Sequence, residues 1–91
     1  MMNLIARQYL ISGRVQGVGF RYFAEHRARE RGISGWVRNL PDGTVEVHAE
    51  GSPERLKRFE QDLRDGPPHA DVRAFESREA PLEHRRAFEI R

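Results

Sequence analysis

The segment from Gly13 to Arg21 combines the residue types that bind phosphate. Its glycines at positions 13, 17 and 19 carry no Cβ, so they let several main-chain amide N–H groups turn toward one point. Amide groups that converge at the start of a helix bind an anion, helped by the helix dipole. Arg21 would lie in the first helical turn, where the dipole disfavours a cation unless an anion is bound. Its planar guanidinium can hold two phosphate oxygens at once.

The glycine spacing by itself is equally compatible with an ordinary flexible connection. The segment is not a Walker A motif, because no Gly-Lys-Ser/Thr sequence follows it. It is not a dinucleotide-binding fingerprint either, because the spacing of its glycines differs. Phosphate binding and simple chain flexibility both stay open on this evidence.

Asn39 is the second candidate, because it ends a predicted strand beside a tight turn. A side-chain amide in this place commonly bonds a main-chain N–H two residues further on, which is a structural role. In the functional alternative, Asn39 holds a water molecule next to the glycine-rich segment. That role requires the strand to lie beside the segment, which the sequence alone does not show.

The elements that must position these residues alternate between strand and helix. Residue preference and apolar spacing predict strands over 5–13, 33–39, 44–50, 70–79 and 85–91, a helix over 21–31 ending at Gly32, and a helix that opens at Ser52-Pro53 and stops at Gly66. This order is the split βαβ, or ferredoxin-like, pattern. We expect an α+β sandwich, βαββαβ, with two helices on one face of a four- to five-stranded antiparallel sheet. Such a fold does not by itself decide the function.

The strands over 33–39 and 44–50 form the clearest local unit, a hairpin. The turn is Leu40-Pro41-Asp42-Gly43, in which proline presets one φ angle and glycine supplies a positive one. In the second strand an apolar set alternates with a polar set, which predicts one buried and one solvent-exposed face. The apolar set is Val45, Val47 and Ala49, and the polar set is Thr44, Glu46, His48 and Glu50.

Length and composition narrow the class of protein. The 91 residues are enough for one domain, over 1–91, with one modest core. The absence of cysteine excludes a disulfide framework, a thiolate zinc site and a cysteine nucleophile. No apolar run approaches the ~20 residues that span a bilayer. Arg7 and Gln8 interrupt the first apolar stretch, which is therefore not a signal peptide, and we expect a cytoplasmic protein.

The basic residues are unevenly distributed, although the formal net charge is only +2. Residues 7–38 hold seven arginines against two acids, which indicates an anionic partner near the first half of the chain. For Arg27, Arg29 and Arg31 a solvated helix face is the preferred interpretation, because Glu30 and Arg31 follow Arg27 at i+3 and i+4 spacing. The histidines, at 26, 48, 69 and 84, show no ligand-like pairing, and we expect them to be solvated or structural.

Two stretches resemble the signature sequences of the acylphosphatase family. They are Ile11-Ser12-Gly13-Arg14-Val15-Gln16-Gly17-Val18-Gly19-Phe20-Arg21 and Gly35-Trp36-Val37-Arg38-Asn39-Leu40-Pro41-Asp42-Gly43-Thr44-Val45, with Gly51 closing the second. Both agree at every restricted position, in the right order and separation, and the similarity covers residues 6–91. Two long motifs in one chain outweigh the purely structural interpretations of the glycine-rich segment and of Asn39.

The resemblance implies hydrolysis of the carboxyl–phosphate bond of small acyl phosphates, giving a carboxylate and inorganic phosphate. It implies that Arg21 binds the phosphoryl group and that Asn39 orients the attacking water. The amide N–H groups that complete the phosphate site would be those of Gln16, Gly17, Val18, Gly19, Phe20 and Arg21. No metal and no cofactor are implied, and phosphate or similar anions are expected as product or inhibitor. We also expect a monomer without a nucleic-acid or membrane partner.

Three other functions are weighed against this one. Residues 16–23 superficially resemble an RNA-recognition motif, but that motif must lie on a central strand, whereas these residues lead into a helix. Acylphosphatase-like domains also begin larger carbamoyl-transfer enzymes that mature hydrogenases, and a length of 91 residues favours the free enzyme instead. A binding module that has lost catalysis is disfavoured, because Arg21 and Asn39 are both intact.

Overall fold

Five strands and two helices follow one another in the order that the sequence predicts. The computed structural model describes residues 3–91. The elements are β1 (Ile5–Arg14), α1 (Phe20–Arg31), β2 (Ser34–Asn39), β3 (Val45–Gly51), α2 (Pro53–Asp65), β4 (Asp71–Ala80) and β5 (Phe88–Ile90). The predicted boundaries agree to within one residue except at β5, which is shorter than predicted. No helix within residues 3–91 has the length and apolar character needed to cross a membrane.

The strands form one sheet in the order β4-β1-β3-β2-β5. The expectation of an antiparallel sheet is confirmed for β1 to β4 and is wrong for β5, which pairs with β2 in parallel. β4 runs opposite to β1 and β2. Because the chain reverses direction after β4 and crosses to the far edge of the sheet, β5 runs in the same direction as β2. The sheet is therefore mixed, within the predicted ferredoxin-like α+β sandwich.

Both helices pack on one face of the sheet, and their ends carry the expected signals. The Ser52 hydroxyl accepts a hydrogen bond from the Arg55 amide at 3.3 Å, and Pro53 opens α2. Gly32 ends α1 with a left-handed φ of 68°. The core between the layers is Tyr9, Ile11, Val15, Phe20, Ala24, Ala28, Ile33, Val37, Val45, Val47, Ala49, Leu56, Phe59, Leu63 and Phe88.

The arginines on the outer part of α1 are paired with acids, as the solvated-face interpretation requires. Arg29 lies 2.7 Å from Glu25, and Arg27 lies 3.5 Å from Glu30. Arg31 is different, because its guanidinium binds both carboxylate oxygens of Asp62 on α2, at 2.8 and 3.0 Å. This fork ties the two helices together.

The polar face of β3 is partly buried, which corrects the prediction that it faces solvent throughout. Val45, Val47 and Ala49 are buried as predicted, but His48 and Glu50 are only 2% and 4% exposed. The cover comes from residues 81–87, here named the crossing loop, which connects β4 at one edge of the sheet to β5 at the other. A chain segment far away in the sequence therefore excludes water from this part of the open sheet face.

Glu50 is the anchor of the crossing loop. Its carboxylate accepts hydrogen bonds from the main-chain amides of Glu83 at 2.5 Å and Arg85 at 2.8 Å. The intervening His84 has a φ of 58°, a left-handed conformation that turns successive amide groups to the same side. His48 Nε2 lies 2.7 Å from the same carboxylate. The buried carboxylate is thus fully surrounded by partners, as a buried charge must be.

These contacts lower the pKa of Glu50. Burial raises the pKa, but the hydrogen bond with His48 and those from the amides of Glu83 and Arg85 outweigh it. The net pKa is below the ordinary value of 4.5. The Glu50 charge therefore stabilises the fold above about pH 4.5, and this contribution is lost as the pH falls through the lowered pKa.

Glu50→Gln tests this anchor. The variant keeps the shape, but its NH₂ group replaces one carboxylate oxygen and faces one of the two main-chain donors, so it should lower the free energy of unfolding by about 1–3 kcal/mol near neutral pH. The difference from the parent chain should shrink as the pH falls below about 4.5, because Glu50 of the parent chain is then protonated in the unfolded state and, below its lowered pKa, in the folded state as well. Urea unfolding followed by circular dichroism, at a series of pH values, measures both effects.

The matched control for Glu50→Gln is Glu76→Gln, which makes the same change at an exposed position on β4. It should change the free energy of unfolding by less than about 0.5 kcal/mol. Equal effects of the two substitutions would show that the anchor contributes no more than an ordinary surface carboxylate.

Candidate phosphate-binding and active site

The sheet register brings Asn39 to the same end of the molecule as the glycine-rich segment. Ile11 of β1 pairs with Val45 of β3, and Val45 pairs on its other side with Asn39 of β2. Because β1 and β2 both run antiparallel to β3, the chain leaves both strands at this one end of the sheet. The condition that the sequence left open, that the second strand lies near the loop, is therefore met.

A β-bulge directs the chain from β1 toward α1. The register between β1 and β4 shifts between Ser12 and Gly13. Gly13 has a φ of 120°, and a Cβ there would collide with the main-chain oxygen of Asp71. A bulge bends the strand that carries it, so this glycine sets the direction in which the following loop departs.

The main-chain amides of residues 16–21, here named the cradle, are free to bind an anion. Gly17 and Gly19 have left-handed φ angles of 73° and 79°, and Gly19 is the N-cap of α1. No side chain caps this helix, and its first turn carries no acidic residue. None of the six amides donates a hydrogen bond to another group within residues 3–91. Unpaired amides at a helix start supply both donors and a positive dipole end.

Arg21 lies in the first turn of α1, as predicted, and is half-buried. Its Nη1 donates a hydrogen bond of 3.0 Å to the main-chain oxygen of Arg91. Arg91 is held in turn by β2, because its amide donates to the oxygen of Val37 at 2.8 Å. This hydrogen bond fixes the direction of the Arg21 guanidinium. It uses one of the five N–H donors that a guanidinium has.

Asn39 does not make the structural hydrogen bond that its position suggests. That role belongs to Asp42, whose carboxylate accepts from the Thr44 amide, two residues on, at 3.0 Å. The pKa of Asp42 is lowered by its hydrogen bonds with the Thr44 hydroxyl and amide. The Asn39 Oδ1 atom is buried and accepts no hydrogen bond from any group within residues 3–91.

Known proteins resemble this chain over almost its whole length. The sequence model of the acylphosphatase family matches residues 7–90. An acylphosphatase from Archaeoglobus fulgidus is 47% identical over 87 residues, which are 96% of this chain and 98% of that protein. The chain belongs to the acylphosphatase family.

Solved structures of acylphosphatases also have the fold of this chain. The acylphosphatase from Coxiella burnetii superposes with a TM-score of 0.94 at 35% identity, covering 98% of this chain and 94% of the other. The fold also occurs within full-length HypF, solved in a phosphate- and nucleotide-bound form. That match has a TM-score of 0.89 at 27% identity and covers 99% of this chain but 12% of HypF.

The candidate site contains contacts that the sequence analysis did not foresee. The Gln16 side chain reaches the hairpin between β2 and β3, and the Arg91 oxygen reaches Arg21. Both contacts join residues at least 24 positions apart, and no local pattern signals such pairs. The RNA-recognition alternative is not supported by the structure, because residues 20–23 lie in α1 rather than on a strand.

Two of the histidines make their contacts away from the cradle. His26 pairs with Glu30 on α1 at 3.0 Å, and His48 belongs to the buried cluster beneath the crossing loop. Within residues 3–91, no group of three or more histidine, aspartate and glutamate side chains is arranged to hold a metal ion. The donors of the cradle are N–H groups, which bind anions and do not ligate cations.

Proposed function

We propose that this acylphosphatase hydrolyses small acyl phosphates, using the cradle and Arg21 to bind the phosphoryl group and Asn39 to orient the attacking water. The observation that carries the proposal is the set of six amides, before α1 and in its first turn, that have no partner within residues 3–91, together with Arg21 in that first turn. Charge in phosphoryl transfer is spread over three oxygens of the transferred group. Amide donors and a forked guanidinium match that distribution better than a single point charge.

The reaction needs little acid–base chemistry from the protein. Water attacks phosphorus, the phosphorus–acyl oxygen bond breaks, and the carboxylate departs with the electron pair. The proton of the water passes to a phosphoryl oxygen of the substrate itself. Because a carboxylate is a good leaving group, positioning and charge stabilisation account for most of the catalysis.

Asn39 is suited to orient the water because its Oδ1 atom has no hydrogen-bond partner in the part of the chain that the structure describes. A buried acceptor without a partner costs about 1–3 kcal/mol, and a water molecule that donates to it would remove this cost. The remaining lone pair of that water then faces away from the donated proton. An uncharged amide can do this beside a phosphate dianion without repelling it.

The proposal is metal-independent and needs no cofactor, since Arg21 and the cradle amides supply the positive potential at the phosphoryl group. One chain provides all of these groups, which supports a monomeric enzyme. The cytoplasmic location expected from the sequence stays a prediction.

The direct test is hydrolysis of benzoyl phosphate by the purified chain in the presence of a chelator. We expect rapid loss of substrate, competitive inhibition by inorganic phosphate, and no activity in Arg21→Ala. Activity that disappears with the chelator would contradict the metal-independent mechanism. Activity that persists in Arg21→Ala would place the reaction elsewhere on the molecule.

Arg21→Lys should be severely impaired, although it keeps the positive charge. Lysine offers a single ammonium instead of a planar fork, and it cannot hold two phosphate oxygens and the Arg91 oxygen together. We expect kcat/KM for benzoyl phosphate to fall at least about a hundredfold. Arg78→Lys, on exposed β4, is the matched control and should retain full activity. Near parental turnover in Arg21→Lys would remove Arg21 from the mechanism.

Asn39→Asp should abolish hydrolysis while leaving the fold intact. The side chains have the same shape, but the carboxylate places a negative charge beside the phosphoryl group and repels it. The circular dichroism spectrum should match the parent chain, and kcat should fall by at least about a hundredfold. Asn3→Asp adds the same charge at an exposed position before β1 and should not change kcat. An active Asn39→Asp enzyme would rule out the water-orienting role.

A further inference from the structure

The side chain of Gln16 joins the cradle to the hairpin between β2 and β3. Its Nε2 atom donates to the main-chain oxygen of Leu40 at 2.8 Å and to that of Thr44 at 2.9 Å. A primary amide has two N–H donors on this atom, and both are used. The side chain is part-buried, so these bonds are shielded from competing water more than surface bonds are.

The two carbonyl oxygens bound by Gln16 are those that close the neck of the hairpin. The Leu40 oxygen also accepts from the Gly43 amide at 3.1 Å, and the Thr44 oxygen accepts from the Leu40 amide at 2.9 Å. Asn39 directly precedes Leu40, and its strand partner Val45 directly follows Thr44. Gln16 therefore binds the main chain one residue away from both members of the pair that contains Asn39.

The two sides of this link differ in how firmly they are held by other contacts. The cradle side is anchored in the core by Val15 and Phe20, which are 0% and 2% exposed, and Val18 packs against the same core. The hairpin tip, residues 41–43, is exposed. The residues that flank the tip, Leu40 and Thr44, are joined to each other and to Gln16. Loss of the link should therefore displace the hairpin and Asn39 and leave the cradle in place.

We propose that Gln16 is a positioning residue that acts through Asn39, holding the water-orienting amide at a fixed distance from the phosphoryl group in the cradle. The inference rests on the proposed function, because it assigns Gln16 a part in the same reaction. Gln16 thus has two separate roles. The main-chain amide of Gln16 belongs to the cradle, whereas its side chain sets the place of Asn39.

The experiment replaces Gln16 by methionine, which has a similar length and no donor. We expect kcat for benzoyl phosphate to fall about tenfold to a hundredfold, the scale of a displacement of about 1 Å in a reacting group. KM and the inhibition constant of inorganic phosphate should change by less than about threefold, because Arg21 and the cradle amides are retained. Gln16→Leu is also uncharged and also lacks the donors, so it should behave alike and carries the test if the methionine variant folds poorly.

Gln8→Met is the matched control. Gln8 also donates its side-chain amide to a residue far away in the sequence, Glu46, at 2.6 Å, but it does so on the open face of the sheet. The Gln8→Met variant should leave kcat and the inhibition constant of phosphate unchanged. A purely structural contribution of a buried glutamine would lower the stability of both variants without a selective effect on kcat.

A double-mutant cycle shows whether Gln16 acts through Asn39. In an Asn39→Ala background, Gln16→Met should change the residual rate by less than about threefold, because the group that it positions is gone. The inference is overturned if Gln16→Met keeps the parental kcat. It is also overturned if phosphate binding weakens in parallel with kcat, or if the loss is undiminished in the Asn39→Ala background.

The failure of the proposed function has a different signature. In that case the parent chain does not hydrolyse benzoyl phosphate, or Asn39→Ala alone has no effect on its hydrolysis. If the parent chain is active and depends on Asn39, a normal kcat in Gln16→Met overturns the role of Gln16 alone.

Discussion

Six main-chain amides, those of residues 16–21, donate to no other group within residues 3–91, and they are the constraint on which the rest of this structure depends. A folded chain normally pairs such groups. The surrounding residues must then keep the amides in place without bonding to them. Core residues on both sides of the loop, the bulge at Gly13 and the left-handed glycines do this by packing and backbone geometry.

The two ends of the sheet have different tasks. At one end, β1 and β2 finish beside each other across β3 and bring the cradle and Asn39 together. At the other end, the crossing loop passes over Glu50 before β5 turns back along β2. Because β5 runs parallel to β2, its direction carries the chain back toward the end of the sheet that holds the candidate site, where the Arg91 oxygen meets Arg21. The parallel pairing that the sequence analysis did not predict therefore makes this contact with Arg21 possible.

Sequence reasoning reached the helices, the hairpin and the first four strands because each has a local signal. Ser52-Pro53 and Gly32 mark helix ends, and the turn at residues 40–43 has the residue types that its backbone requires. Sequence reasoning selected Arg21 and Asn39 because they lie in two motifs that resemble acylphosphatase signatures. The sheet register explains why the two motifs lie at the same end of the sheet. The register itself is a long-range property, so no pattern within either motif contains it.

The burial of His48 and Glu50 was beyond the reach of periodicity. Alternation assigns side chains to two faces of a strand, and it did so correctly for β3. It carries no information about a loop from residues 81–87 that covers one of those faces. The side-chain bonds of Gln16 were missed for a similar reason, since a polar residue in a glycine-rich loop has many possible partners.

Trp36 is the one tryptophan of the chain, and its surroundings make it a local optical reporter. Its ring stacks on His48 at a centroid distance of 5.7 Å, and the guanidinium groups of Arg38 and Arg91 lie 5.1 and 4.8 Å from its centre. Its indole N–H donates to Glu83 of the crossing loop at 3.2 Å. Its fluorescence will therefore be governed by the crossing loop and the C-terminal strand. Arg91 contacts both Arg21 and Trp36. A change in Trp36 emission when phosphate binds would therefore indicate that these two contacts transmit the effect of the anion to the indole ring.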